Sequence, residues 1–146
     1  MRVYLDNCCL GRPFDNQTFP RIFIETQAKF FIQNQIKLGK LEMATSYILH
    51  YENVTCSLEA KRESVRDFLK SYSSIYIDIT WAEQVETKAE KFISVGIKQK
   101  DAYHVASAIL AECDYFLTTD DRLLKHNVDE IVMMNPVDFL KIFEED

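Results

Sequence analysis

Apolar residues follow two different spacings along this chain, and the two spacings alternate. Short, mainly apolar runs, typical of strands buried in a parallel sheet, occur at four places, and at residues 75–79 isoleucines alternate with Tyr76 and Asp78, which also predicts a strand. Between these runs, apolar residues recur every three or four positions, which predicts helices. The predicted strands span residues 3–5, 41–44, 75–79, 115–118 and 131–134. The predicted helices span residues 18–38 and 81–95, with others that begin near residues 47, 57, 101, 122 and 136.

This order of elements predicts an α/β fold. Strands that alternate with helices form a doubly wound, mainly parallel sheet with helices on both faces. The chain has 146 residues, of which 47% are apolar and 27% charged. These values predict one folded domain over residues 1–146.

The helix predicted over residues 18–38 carries large apolar residues on more than one face. A single-sided amphipathic helix would have a narrower stripe. The helix is therefore either enclosed within the domain or contacts another chain. We favour the second alternative, as a homodimer or as a surface for a partner protein. The residues concerned are Phe19, Ile22, Phe23, Phe30, Phe31, Ile32 and Ile36.

Composition and charge exclude several classes of function. No apolar run approaches the roughly 20 residues of a membrane span, and the N-terminus does not have the pattern of a signal peptide, so we expect a soluble, cytoplasmic protein. The four cysteines form no CxxC pair and the three histidines are scattered, so we expect reduced thiols and no zinc site. A net charge of −6 argues against binding nucleic acid by bulk electrostatics. An acidic protein can still cut a polyanion if metal ions neutralise its acidic centre.

Four carboxylates occupy positions from which they could share one site. Asp6 and Asp120 directly follow predicted strands, and Asp101 begins a predicted helix. The carboxyl ends of parallel strands and the N-termini of the following helices lie at the edge of the sheet where ligands bind. Glu52 lies among apolar residues, where an unpaired carboxylate is costly. Carboxylates brought together need a cation to stay ionised, and oxygen ligands favour Mg²⁺ or Mn²⁺.

Two of these carboxylates also have structural interpretations. Asp6 alone would be read as a turn residue or a helix cap. Glu52 could form a salt bridge inside the domain, for example with an arginine. The spacing of the four residues only suggests a metal site.

Four segments of the chain together resemble the PIN-domain nucleases, which include the VapC-type ribonuclease toxins of toxin–antitoxin pairs. The segments are Tyr-Leu-Asp-Asn at residues 4–7, Glu52, Lys-Asp-Ala-Tyr-His-Val-Ala-Ser-Ala at 100–108 and Phe-Leu-Thr-Thr-Asp at 116–120. Each segment alone is a weak signal, whereas the four in this order are fairly specific. The resemblance covers nearly the whole chain.

The resemblance implies a three-layer α/β/α fold and hydrolysis of RNA phosphodiester bonds. It implies that Asp6, Glu52, Asp101 and Asp120 are an acidic quartet that binds one or two Mg²⁺ or Mn²⁺ ions. Asp121 follows Asp120, so either or both could supply the last carboxylate. The residues expected to support the ligands by hydrogen bonds are Asn7, Thr118 and Thr119. A toxin of this family would be restrained by a cognate antitoxin protein.

Basic residues near the proposed site are candidates for contacts with RNA. Lys98, Lys100 and Arg122 flank the site in sequence and are favoured over Arg12 and Arg62, although a solvated surface charge is the ordinary interpretation of all five. His104 lies one helical turn after Asp101; it either approaches the site or packs against the sheet, and packing is favoured. The loop at residues 8–15, which contains Cys8 and Cys9, has no function that the sequence defines.

Two other classes of protein are alternatives to the metal-dependent ribonuclease. A non-catalytic PIN-like domain that binds RNA or a protein partner is the main alternative, but such a domain would often have lost one of the four acids. A phospho-acceptor receiver domain needs paired acids after its first strand and a lysine near its last, and neither is present. The ribonuclease is therefore the function that the sequence favours.

Overall fold

The computed structural model describes residues 1–145, and its centre is a five-stranded parallel sheet. The strands are β1 (Arg2–Leu5), β2 (Glu42–Ser46), β3 (Ile75–Ile77), β4 (Tyr115–Leu117) and β5 (Val132–Met134). They lie side by side in the order β3-β2-β1-β4-β5. Residues 3–5 of the central strand β1 are at most 1% exposed. Continuous apolar strands are expected in such a sheet because helices cover both of its faces.

Eight helices surround this sheet. They are α1 (Asn7–Gly11), α2 (Pro20–Lys37), α3 (Tyr47–Val54), α4 (Glu59–Tyr72), α5 (Ala82–Ser94), α6 (Gln99–Leu110), α7 (Asp121–Leu124) and α8 (Pro136–Glu145), all within the described part of the chain. Helix α5 packs on α6, and α2 packs on α8. The arrangement is the three-layer α/β/α architecture that the sequence resemblance implied.

Most predicted elements are confirmed, and the ends of two helices show why. Gly39 and Gly96 follow α2 and α5 with φ angles of 76° and 103°. Glycine adopts this left-handed conformation without steric cost, so both residues end their helices as predicted. At the start of α8, the side chain of Asn135 accepts a hydrogen bond from the Val137 amide, and Pro136 occupies the first turn.

Three local predictions are wrong. Residues 7–14 form α1 and a 3₁₀ turn instead of a loop, because Asp6 caps α1 and the apolar side of α1 is buried. Ile79 is 66% exposed and belongs to a 3₁₀ turn, not to β3, since Asp78 caps that turn at the Thr80 amide. Helix α6 begins two residues before Asp101, so this carboxylate lies within the first turn.

Helix α2 is not enclosed by the described residues. Its inner side is buried, but five large apolar side chains at or near this helix are between 38% and 58% exposed. The enclosed alternative is therefore wrong for residues 1–145, and a contact of this helix with another chain stays a prediction. The exposed residues are Phe19, Phe23, Ile24, Phe30 and Phe31. No helix among the described residues combines the length and apolar character needed to cross a membrane.

Candidate active site

Two of the predicted site residues follow neighbouring strands of the sheet. Asp6 comes directly after β1, and Asp120 comes after β4 and Thr118-Thr119. The Asp6 amide donates a hydrogen bond to the Leu117 carbonyl at 2.9 Å, which continues the pairing of the two strands beyond Leu5. The two carboxylates therefore lie at the carboxyl edge of the sheet, as the sequence predicted.

The carboxylate of Asp6 is held by hydrogen bonds on both oxygens. The Asn7 amide donates to Oδ1, and the Thr118 hydroxyl donates to Oδ2, both at 2.8 Å. The Thr118 Oγ1 atom in turn accepts from the Asp120 amide at 3.1 Å. A carboxylate that is 6% exposed needs such donors. Thr118 thus connects the two acidic residues through its side chain, whereas Asn7 contributes its backbone.

Thr119 and Cys8 of α1 support the same edge in a way that the sequence did not indicate. The Thr119 amide donates to Cys8 Sγ at 3.3 Å, and the thiol also contacts Thr118 Oγ1 at 3.3 Å. A hydrogen bond with Cys9 lowers the pKa of Cys8, and burial opposes this shift. Thr119 therefore acts here through its backbone.

Glu52 is oriented by a chain of buried polar groups that begins at the central strand. Its Oε1 atom pairs with His104 Nε2, and His104 Nδ1 lies 2.6 Å from the Tyr4 hydroxyl. That hydroxyl also lies 2.6 Å from Ser46 Oγ. If Nε2 of neutral His104 carries the proton and donates to Glu52, Nδ1 accepts from Tyr4, and every group in the chain has a partner.

His104 therefore fulfils both interpretations of its position. It is 1% exposed and packs edge-on against the Tyr4 ring, yet it also contacts a predicted site residue. Burial lowers the pKa of His104, but the hydrogen bond to Glu52 and the negative charges of Asp6, Glu52 and Asp101 outweigh it, so the pKa is raised. The internal partner of Glu52 is thus a histidine, and the suggested arginine is wrong.

Asp101 is half-buried, and the charges of the other three acids act on its carboxyl group. Burial raises the pKa of this carboxyl most, and the negative charges of Asp6, Asp120 and Glu52 raise it further, while His104 opposes them. Like charges that cannot separate favour binding of a cation. The four donor groups are all carboxylates, which suits Mg²⁺ or Mn²⁺.

The side chains do not form a finished coordination site. Among residues 1–145, no three Asp, Glu, His or Cys side chains are grouped closely enough to hold one ion. The donor chemistry and the shared negative charge fit a hard divalent cation. Binding would require the carboxylates to move closer together.

The structure separates Asp120 from Asp121. The Asp121 carboxylate accepts hydrogen bonds from two nitrogens of Arg21, at 2.6 and 2.8 Å. These bonds lower the pKa of Asp121, although its side chain is 63% exposed. Asp120 accepts from the Arg122 amide at 2.9 Å, caps α7, and contributes negative charge at Asp101. Asp120 is therefore grouped with the other three acids, while Asp121 has its own cation; which of them binds metal stays a prediction.

Two of the favoured basic residues line a pocket beside these acids. Lys98 and Arg122 share a pocket of about 140 Å³ with Asp101 and Asp120. His126 lines it too, and no pattern in the sequence marks this histidine. Lys100 is exposed in the first turn of α6 and does not line this pocket.

The remaining two basic candidates lie elsewhere. The Arg12 guanidinium binds the carboxylates of Glu25 and Asp15, at 2.9 and 2.8 Å. Arg62 donates to the Cys56 carbonyl at 2.9 Å on the α3–α4 side. Neither residue lines the small pocket beside Asp101.

Comparison with known proteins finds relatives by structure alone. No family model matches the sequence, and no curated protein is significantly similar to it. VapBC2 from Rickettsia felis, bound to a DNA fragment from its promoter, matches with a TM-score of 0.58 at 14% identity, over 92% of this chain and 98% of that chain. FitAcB from Neisseria gonorrhoeae matches with 0.52 at 15%, over 92% and 97%. FitAB bound to an IR36 DNA fragment matches with 0.53 at 15%, over 92% and 95%.

These matches define the class of fold. The chain has a PIN-like fold, as the sequence resemblance implied. Coverage of more than nine-tenths on both sides means that the whole architecture is shared, not one βαβ unit. Because the sequence identities are near 15%, these matches show a shared fold and do not show a shared function.

Proposed function

We propose that this protein is a metal-dependent endoribonuclease that hydrolyses RNA phosphodiester bonds at Asp6, Glu52, Asp101 and Asp120. The observation that carries the proposal is the electrostatic grouping of these acids at the carboxyl edge of a PIN-like sheet. The four acids come from separate places along the fold, after β1, in α3, in α6 and after β4. We further propose cytoplasmic activity with Mg²⁺ or Mn²⁺ as the cofactor.

Each residue of the site has a separate role in this proposal. Charge neutralisation and Lewis acidity at the scissile phosphate are the chemistry that Mg²⁺ or Mn²⁺ supplies when bound. Asp6 would be a ligand kept in place by Thr118, and Glu52 a ligand kept in place by His104. Lys98 and Arg122 would hold the RNA phosphates beside the acids.

We propose that a protein partner restrains the activity, as in a toxin–antitoxin pair. The structural neighbours VapBC2 and FitAB are two-component complexes. The exposed apolar side chains of α2 provide a surface for such a partner or for a homodimer. Co-expression of this chain with the product of a neighbouring gene should abolish both cleavage and growth arrest if that product is the antitoxin.

The second candidate is a non-catalytic PIN-like domain that binds RNA or protein. One specific observation favours it: the carboxylates do not converge as a three-ligand group within residues 1–145. Such a domain would bind RNA without Mn²⁺ and would leave it intact. The two candidates therefore differ in a single assay.

The test is Mn²⁺-dependent cleavage of RNA by the Asp101→Asn variant. We expect cleavage to fall by at least about 100-fold, because even substitution of residues behind a metal ligand typically costs 10- to 100-fold. The fold should survive, since Asp101 is only half-buried and repelled by its neighbours. Circular dichroism and gel-based cleavage of a labelled RNA measure the two quantities.

Asp129→Asn is the matched control, because it makes the same chemical change at an exposed position outside the site. It should cleave like the wild type. Cleavage by the Asp121→Asn variant then tests whether the site works with Asp120 and without the Asp121 carboxylate. Cleavage by Asp101→Asn at the wild-type rate, or no cleavage by the wild type with either metal, would remove the enzyme proposal.

A further inference from the structure

A large cleft lies on the other side of α3 from the acidic site. It has a volume of about 780 Å³ between α3, α4 and the edge of the sheet near β3. This volume is within the usual range for sites that bind a nucleotide-sized ligand. Helix α3 contributes to both places: Glu52 faces the acidic site through His104, while His50 and Asn53 line the cleft.

The charge of this cleft is opposite to that of the whole protein. The chain carries 23 acidic and 17 basic residues, yet Arg62, Arg66 and Lys70 line the cleft, and no carboxylate lines it among residues 1–145. The three cations follow one another at intervals of four residues along α4. They therefore form a stripe on one face of the helix, about 12 Å long.

These cations are only weakly neutralised by the protein. Arg66 pairs with Asp67 at 3.3 Å, and both side chains are about half-exposed or more, so a phosphate can compete with this pair. Arg62 is fixed by its bond to the Cys56 carbonyl, which is a neutral partner and leaves the positive charge in place. The stripe is thus available to an anionic ligand.

An aromatic pair closes the sheet side of the cleft. Tyr76 on the edge strand β3 is 48% exposed, and its ring meets the His50 ring edge-on with centroids 5.2 Å apart. A half-exposed aromatic ring that lines a cleft is a platform for an unpaired nucleobase. Cations that follow a backbone beside a stacking ring are the combination used to bind single-stranded nucleic acid.

We infer that this cleft binds a single-stranded segment of the RNA substrate away from the scissile bond. The phosphates contact Arg66 and Lys70, and a base stacks on Tyr76. This assignment rests on the proposed ribonuclease function, because that function supplies a polyanionic RNA as the ligand. The cleft adds affinity for RNA that the acidic site itself cannot provide.

The first test measures RNA binding without metal. Fluorescence anisotropy with a labelled single-stranded RNA of about 20 nucleotides compares the wild type with the double variant Arg66→Gln, Lys70→Gln in EDTA. Loss of two phosphate contacts should weaken binding by about tenfold at 0.1 M salt and reduce the slope of log K against log [salt] by about 1.4. The control is Lys40→Gln, Lys141→Gln, which removes the same charge from exposed positions outside the cleft.

A second pair of variants tests the aromatic platform. Tyr76→Ala should weaken RNA binding by about fivefold or more, and Tyr76→Phe should retain wild-type affinity, because stacking needs the ring and not the hydroxyl. Equal losses in both variants would show that the hydroxyl or the fold of the edge strand is responsible, and would overturn the stacking contact.

Kinetics separate this inference from the proposed function. The double variant should raise KM for RNA about tenfold and leave kcat unchanged, since it removes binding that is equal in ground and transition states. If the wild type does not cleave RNA but the binding difference remains, the ribonuclease proposal fails and the cleft stands. If the double variant binds RNA like the charge-matched control, the inference is wrong. If the double variant loses binding to a poly-glutamate peptide but keeps wild-type binding to RNA, the inference is overturned in favour of an acidic protein partner.

Discussion

Two groups of carboxylates in this molecule have opposite relations to the surrounding chain. Glu25 on α2 is 2% exposed and accepts hydrogen bonds from Arg12, Arg21 and Asn135. At the acidic site, Asp101 is surrounded by the charges of three other acids, and the His104 side chain is the main group that opposes them. The first carboxylate is neutralised by the fold, whereas we propose that the second group is neutralised by a divalent cation.

The difference shows how pairing with cations separates a structural carboxylate from carboxylates that are candidates for a functional site. Arg21 bridges Glu25 to Asp121 and also donates to the Thr119 carbonyl, so the neutralised group reaches the loop that carries Asp120. Arg21 is thus a cation close to the acidic site whose hydrogen bonds go to Glu25, Asp121 and the Thr119 carbonyl. An acidic group that is left without such a cation is a candidate for metal binding.

The largest stability effect is expected at Glu25. Glu25→Gln should lower the free energy of unfolding by about 3–4 kcal/mol, because it leaves two arginines without their buried partner. The side-chain NH₂ group of the new glutamine would also face an arginine donor at a place where a carboxylate oxygen of Glu25 now accepts a hydrogen bond. Urea unfolding at pH 7 measures the change.

Glu42→Gln is the comparison for this prediction. Glu42 pairs with Arg2 at 2.9 Å on the surface and is 53% exposed, so its loss should cost less than about 1 kcal/mol. A similar cost for both variants would show that burial of Glu25 has no special weight.

A smaller effect is expected when divalent metal is added. At a Mn²⁺ concentration 100 times Kd, the wild type should gain about 2.7 kcal/mol in the free energy of unfolding. Asp101→Asn should gain much less, because one of the four charges that attract the ion is gone. Thermal unfolding with and without Mn²⁺ measures this difference, and equal stabilisation of both proteins would place the ion elsewhere.

Prediction from the sequence succeeded where the residues of a single helix or strand determine the structural feature. Four apolar runs and one alternating segment located the five strands, and the residues after two of them placed Asp6 and Asp120 at the same edge of the sheet. The apolar face of its helix marks Glu52 in the sequence, and the Glu52 side chain is only 14% exposed. Periodicity and strand order contain this information.

Sequence reasoning failed where two distant elements meet. The contacts between Glu52 and His104, and between Glu25 and Asn135, join residues separated by 52 and 110 positions. No local pattern marks such pairs. The basic stripe of α4 is a partial exception, because Arg62, Arg66 and Lys70 are visible at intervals of four, but only the packing shows that they line a cleft.

Lys29 extends the comparison of paired and unpaired buried charges from carboxylates to a cation. This lysine is 8% exposed. Its ammonium group forms a hydrogen bond with Gln33 and lies 5.3 Å from the centre of the Phe68 ring. No carboxylate among the described residues pairs with it. Burial, and then the charge of Lys37, lowers its pKa from 10.5 to about 8. The fold therefore carries an unneutralised buried charge below pH 8.

The pH dependence of stability follows from this shift. Between about pH 8 and 10.5 the unfolded chain holds the Lys29 proton and the folded chain does not, so stability rises with pH across this window. Below it, both states are protonated and the full cost of the buried charge remains. At about 1.4 kcal/mol per pKa unit, a shift from 10.5 to about 8 limits this cost to about 3.5 kcal/mol.

Lys29→Met should therefore stabilise the protein by about 2 kcal/mol at pH 7, since the flexible thioether fills the same space beside Phe68 without a charge. The gain should shrink toward zero as the pH rises from 8 to 10.5, because the wild type then loses the charge as well. Urea unfolding at pH 7 and pH 10 compares the two proteins, with Lys40→Met as an exposed control that should change little at either pH. A variant that is less stable than the wild type at pH 7 would mean that the ammonium group has a stabilising partner, and Lys29 would then belong with Glu25 instead of with Asp101.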